Sequence, residues 1–134
     1  MKTIYKLTLL VFMLVLSSIP TVNGQTAADD VLDQISSLLV MPDAADQLTA
    51  YFDDRVEISM QGKHQTYSRT QAQYVVSQFL AENPVETFDI ITRGETNGTS
   101  YAMIECRGTN GAFEINIFVK LDSNRIAELQ FDQG

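Results

Sequence analysis

The chain has 134 residues, of which 9 are Lys or Arg and 17 are Asp or Glu, for a net charge of −8. With 45% apolar residues, one cysteine and no tryptophan, it fits a single globular domain. The same counts exclude wholesale disorder, a disulfide scaffold, a cysteine-rich zinc module and a collagen-like chain.

Residues 1–24 read as a secretory signal. Lys2 and Lys6 supply the positive region, and Leu7 to Leu16 (LTLLVFMLVL) is apolar except for Thr8. Ser17, Ser18 and Pro20 break the run, and Val22-Asn23-Gly24 offers small residues for cleavage. A membrane span needs roughly 20 apolar residues, so no stable membrane insertion is expected after cleavage. The expectation is export to the periplasm or the extracellular space, with one domain over 25–134. No cysteine ends the signal for a lipid anchor, since Cys106 lies far downstream. Loss of Lys2 and Lys6 leaves 7 basic residues against 17 acidic ones, a net charge of −10. Such a surface repels phosphate backbones, so no nucleic-acid partner is expected. The spaced acidic loop of an EF-hand is absent.

Thr26 to Val40 has helical spacing: Thr26 is placed to cap, Asp29 and Asp30 suit the first turn, and Val31, Leu32, Ile35, Leu38 and Leu39 share a face. Pro42 closes that helix, and Asp43 caps a shorter one over Ala44 to Phe52. Asp53-Asp54-Arg55 reads as a turn and Val56 to Met60 as a strand, with Val56, Ile58 and Met60 on one side. Gln61-Gly62-Lys63 turns the chain back through His64 to Tyr67. Ser68 and Gln71 have capping-box spacing at the start of a third helix, whose stripe is Ala72, Val75, Val76, Phe79 and Leu80 and which Asn83-Pro84 ends.

Strands fill the remainder. Glu86 to Gly94 places Phe88, Ile90 and Thr92 on one face and Ile91 and Arg93 on the other. Asn97-Gly98 is a two-residue turn signal, and this also accounts for the glycosylation-like Asn97-Gly98-Thr99. Thr99 to Arg107 and Ala112 to Leu121 follow, the second with Phe113, Ile115, Ile117, Val119 and Leu121 in strict alternation. Arg125 to Asp132 closes the chain with Ala127, Leu129 and Phe131 facing one way. The implied fold class is α+β, with helices on one face of a curved antiparallel sheet.

This order of elements resembles the nuclear-transport-factor-2-like cone, with about three N-terminal helices packed on the sheet. Within it, the chain resembles an exported bacterial family known as domain of unknown function 4783. The matching residues are Asp43-Ala44, Leu48, Tyr51-Phe52 and Val56-Glu57-Ile58, then Tyr67-Ser68, Gln71-Ala72, Val76, Phe79 and Asn83. Phe88, Gly94, Tyr101-Ala102, Gly111, Phe113, Ile126 and Leu129 complete the set, spanning about residues 30–132. Met41-Pro42 departs from the pattern, where glycine is expected before Asp43. The resemblance implies export from a Gram-negative cell and no established activity, because packing and turn residues carry it.

No catalytic residues, metal ligands or cofactor are assigned from the sequence. His64 is the one histidine, read as a solvent-exposed turn residue for which Glu57 or Asp54 would be the orienting carboxylate. Cys106 lies on the apolar face with Ala102 and Ile104 and reads as a small buried hydrophobe. Glu105 with Arg107 reads as a surface ion pair. The resemblance implies a cone that can hold a small apolar ligand, with Tyr51, Phe52, Tyr67, Tyr74, Phe79, Phe88 and Phe113 as candidate lining. Aromatics at these spacings are more often the filling of a core than the lining of a pocket. Ile91, Tyr101, Met103 and Phe118 make the outer sheet face more apolar than solvation requires, and they are the candidate face of a homodimer. The functional expectation is an exported, non-enzymatic binding or interaction module. An isomerase- or dehydratase-like enzyme in the cone pocket and a structural homodimer are the alternatives.

Overall fold

A computed structural model describes residues 27–133. The expected signal over 1–24 and the Thr26 cap lie outside the described residues. Helix α1 covers Ala27–Ser37 and tightens into a 3₁₀ turn over Leu38–Val40. Its apolar stripe buries Leu32, Ile35 and Leu39. Pro42 prevents continuation, and α2 (Ala44–Thr49) has Asp43 at its N-cap position, but the carboxylate does not cap the backbone as expected and accepts instead from Gln47 Nε2 at 2.9 Å.

Strand β1 runs Phe52–Met60 and β2 Lys63–Ser68. The Asp53-Asp54-Arg55 turn of the sequence reading is therefore strand, and α2 ends before Phe52. The reason is tertiary: the start of β1 pairs in parallel with the chain's final strand, Phe52 opposite Ile126. Gln61 and Gly62 turn the hairpin with φ of 51° and 79°. Helix α3 (Arg69–Glu82) opens with the expected capping box: Ser68 Oγ accepts from the Gln71 N–H at 3.3 Å, and Gln71 Oε1 accepts from the Ser68 N–H at 3.2 Å. Three α-helices are thus present among the described residues, the third after the hairpin rather than before it.

Strands β3 (Thr87–Thr96), β4 (Thr99–Gly108), β5 (Gly111–Lys120) and β6 (Ile126–Asp132) form the meander. The six strands make one sheet in the order β2-β1-β6-β5-β4-β3, antiparallel except where β1 meets β6. The helices cover one face. Under them lie Ala102, Ile104 and Cys106 of β4, Ile115, Ile117 and Val119 of β5, and Val56 and Ile58 of β1, all buried.

Two register shifts change which side chains face inward. Opposite β4, Ile90 pairs with Ile104 but Thr92 with Met103, so Ile91 is an extra residue. An inserted residue sends every later side chain to the other face. Thr92 therefore lies on the outer face and Arg93 on the helix face, the reverse of the simple alternation. There Arg93 reaches Asp33 of α1 at 2.9 Å and Asp29 at 4.0 Å. In β6 the shift falls between the pairs Phe118–Glu128 and Val119–Ile126, which leaves Ala127 over. Ile126, not Ala127, joins Leu129 and Phe131 in the core.

Candidate functional site

The seven aromatic residues named for a pocket divide by location. Phe52 and Phe113 are core residues, 0% and 6% exposed. Phe88 is half-buried on β3 opposite Cys106. Tyr51 is half-buried, with its hydroxyl 3.5 Å from Gln34 Oε1. Tyr74 stands outward on α3, 64% exposed, and its hydroxyl accepts a bond from Gln78 Nε2.

Tyr67 and Phe79 do come together. They line a half-open cleft of about 310 Å³ between the β1–β2 hairpin and α3. Ile58, Met60, Val75 and Phe131 complete its apolar surface. Phe79 anchors this wall: its ring meets Phe131 at 4.4 Å and Phe113 edge-on at 4.9 Å, contacts that hold aromatic side chains in one geometry. Amides edge the cleft. Gln133 Nε2 donates to Asn83 Oδ1 at 3.1 Å, and Gln61 Nε2 donates to Gln133 Oε1 at 3.4 Å. This chain of amides links the hairpin turn, the C-terminal strand and the end of α3. Each amide both donates and accepts, so the edge suits uncharged polar groups. A second groove of about 420 Å³ lies between the 3₁₀ turn with α2 and the end of α3, with Val40 and Met41 exposed beside it.

The outer sheet face holds the other named residues. Tyr101 and Phe118 are cross-strand partners with ring centroids 6.1 Å apart. Tyr101 lies over Gly94, where any Cβ would collide with its hydroxyl. Met103 is half-buried between Thr92 and Asn116, and Ile91, at the bulge, is 53% exposed. Beyond them Arg107 bonds Glu105 at 2.6 Å and Asp89 at 3.1 Å. Glu105 shares β4 with Arg107, and it is Asp89 on β3 that makes the ion pair a cross-strand one.

His64 is exposed on β2, and Glu57 is its carboxylate neighbour, with Oε2 at 3.4 Å from Nε2. Glu128 of β6 is the third member of this group, and it was not legible because parallel pairing brings it from the far end of the chain. Cys106 is buried, and that burial pushes its thiol up to about 12, with the Glu105 charge adding to the effect. It therefore stays protonated at neutral pH, and an inert thiol is the result.

Helices on one face of a curved six-stranded sheet, with the β1–β2 hairpin between α2 and α3, define the nuclear-transport-factor-2-like fold. An NTF2-like protein of unknown function from Cytophaga hutchinsonii shares it at 7% identity and a TM-score of 0.57, over 80% of this chain and 89% of that one. The chain matches the family described as domain of unknown function (DUF4783) over residues 32–132, and it belongs to that family. A DUF4783 protein from Bacteroides ovatus superposes with a TM-score of 0.66 at 23% identity, covering 73% of this chain and 89% of its own. One from Bacteroides fragilis gives 0.68 at 19% identity, covering 75% and 95%. Among curated proteins nothing matches the chain.

Proposed function

We propose that the protein is an exported, non-enzymatic binding module that holds a compact, uncharged ligand in the cleft between the hairpin and α3. The cleft carries this reading: about 310 Å³ of space with an aromatic and aliphatic wall and an amide edge. That volume is at the small end of ligand pockets and fits a ligand smaller than a drug-sized molecule. The signal pattern of residues 1–24 supports export. An isomerase-type site would need a carboxylate in the interior. The buried polar side chains among the described residues are instead Ser36 and Ser100, and the charged groups at the cleft, Lys63 and Glu82, are exposed.

Native mass spectrometry of protein recovered from the periplasm and medium tests the reading. The expected mass starts near Gln25 and includes a small molecule. Gln78→Trp, at an exposed lining position, is expected to fill the cleft and abolish that added mass. A bound molecule that survives Gln78→Trp would place the site elsewhere. The Tyr101–Phe118 pair with Met103 favours a second reading, a homodimer through the outer sheet, for which the same spectrum would show a bare dimer.

A further inference from the structure

Most charged groups that meet on this surface close on partners of opposite sign. Lys120 Nζ reaches Asp53 at 2.5 Å, Arg69 reaches Asp54, and Arg107 joins Glu105 and Asp89. The outer faces of β2, β1 and β6 hold a different arrangement. Glu57 and Glu128 are direct partners across the parallel pair, and like charges placed so are mutually destabilising. His64 faces the same point from the hairpin. One ligand atom from each of the three lies within 4.8 Å of the other two.

We propose that Glu57, His64 and Glu128 form a binding site for a first-row divalent transition-metal ion, zinc foremost, independent of the cleft. The donor geometry is close to what the ion requires. Bonds of about 2.0–2.2 Å around a tetrahedral ion set neighbouring donors about 3.4 Å apart. Glu57 Oε2 and His64 Nε2 already stand at 3.4 Å. Closing the rest of a 4.8 Å triangle takes a movement of at most about 1.4 Å, within reach of glutamate rotamers.

The imidazole is also oriented for the task. Its Nδ1 lies 2.7 Å from Ser59 Oγ, and Ser59 is the cross-strand partner of His64. A bond from Nδ1–H to that hydroxyl leaves the Nε2 lone pair facing the carboxylates, as ligating histidines are normally held by a neighbour on their other nitrogen. Gln130 Nε2 donates to Glu128 Oε1 at 3.1 Å and steadies the third donor. All three donors stand on paired strands, which keep a site better defined than loops do.

One nitrogen and two carboxylate oxygens suit zinc and its neighbours rather than calcium or magnesium, which prefer six or more oxygens. The site borders a depression of about 510 Å³ that Arg55 and Lys120 also line. Solvent there supplies the remaining coordination position, so the site is an open one.

Zinc titration of the mature, tag-free chain by calorimetry tests the proposal. One ion per chain is expected, with a Kd tighter than about 100 µM. His64→Ala and Glu128→Gln, both away from the core, are expected to abolish binding while keeping the wild-type melting temperature without metal. Ser59→Ala is expected to weaken binding by roughly 10- to 100-fold. Excess zinc should raise the melting temperature of the wild type and not that of His64→Ala. A wild-type Kd weaker than about 100 µM overturns the proposal, as does undiminished affinity in His64→Ala and Glu128→Gln.

Discussion

The two faces of the sheet are built by the same strands from alternate residues, and they differ in kind. On β5, Ile115, Ile117 and Val119 are buried beneath the helices, while Glu114, Asn116 and Phe118 between them are half-buried on the opposite side. The inner face is apolar apart from Ser100 and, at its β3 edge, Arg93, and it packs against the helices. The outer face mixes rings, amides and charges, and it carries the Glu57–His64–Glu128 group. Stability resides mainly in the first face, and the second is left free to vary in chemistry. The cleft lies where the layers part, between the hairpin and α3, so it borrows rigid walls from the core and polar groups from the edge.

Neighbouring residues on β5 give the largest contrast. Ile117→Ala removes a fully buried side chain and is expected to cost about 2–5 kcal/mol by urea denaturation. Phe118→Ala, one position on, loses mainly its ring contact with Tyr101 and is expected to cost about 1 kcal/mol. An equal cost for Phe118→Ala, growing with protein concentration, would mean that the outer face is covered by a second copy.

The alternation that separates the faces was legible in β4 and in β5 as far as Val119, because neither strand carries an extra residue within its paired length, whereas Leu121 lies past the end of β5 and is exposed. The alternation failed in β3 and β6, where Ile91 and Ala127 each insert one position. Neither residue is a glycine or proline that would have marked a bulge. Gly108, at the end of β4, is needed for packing, because a Cβ there would strike the Pro84 carbonyl. Close approach of two distant segments leaves no local trace. The site followed the same rule. Tyr67 and Phe79 were visible as aromatics of the hairpin and third helix, and Glu57 as a neighbour of His64. Phe131 and Glu128 come from β6, whose parallel pairing with β1 no hairpin signal announces.

Arg93 probes the bulge directly. Its salt bridge to Asp33 exists only because Ile91 turns Arg93 to the helix face. Arg93→Ala is expected to cost about 0.5–1 kcal/mol at low salt and less at high salt, since the pair is partly exposed. In an Asp33→Ala background the same change should cost distinctly less. Equal costs in both backgrounds would place Arg93 back on the outer face.

The smallest expected effect belongs to the pair that ties β1 to the end of β5. Lys120 donates a hydrogen bond to Asp53, the Asp54 N–H adds a second, and together they hold the Asp53 carboxyl below its ordinary value. The same carboxylate holds the Lys120 ammonium above its own ordinary value. A lowered carboxyl contributes stability that is present above the unfolded-state value of about 3.9 and disappears as pH falls through the lower folded value. The wild type should therefore lose its advantage over Asp53→Asn progressively as pH falls below about 3.9. The raised ammonium predicts the mirror case: stability present at neutral pH and lost as pH rises past about 10.4. Both edges should shrink at high salt, because the pair is open to solvent. A pH profile of urea midpoints for the two proteins in parallel separates Asp53 from the other carboxylates. Parallel profiles through the acid range would show that the pair holds no stabilising charge.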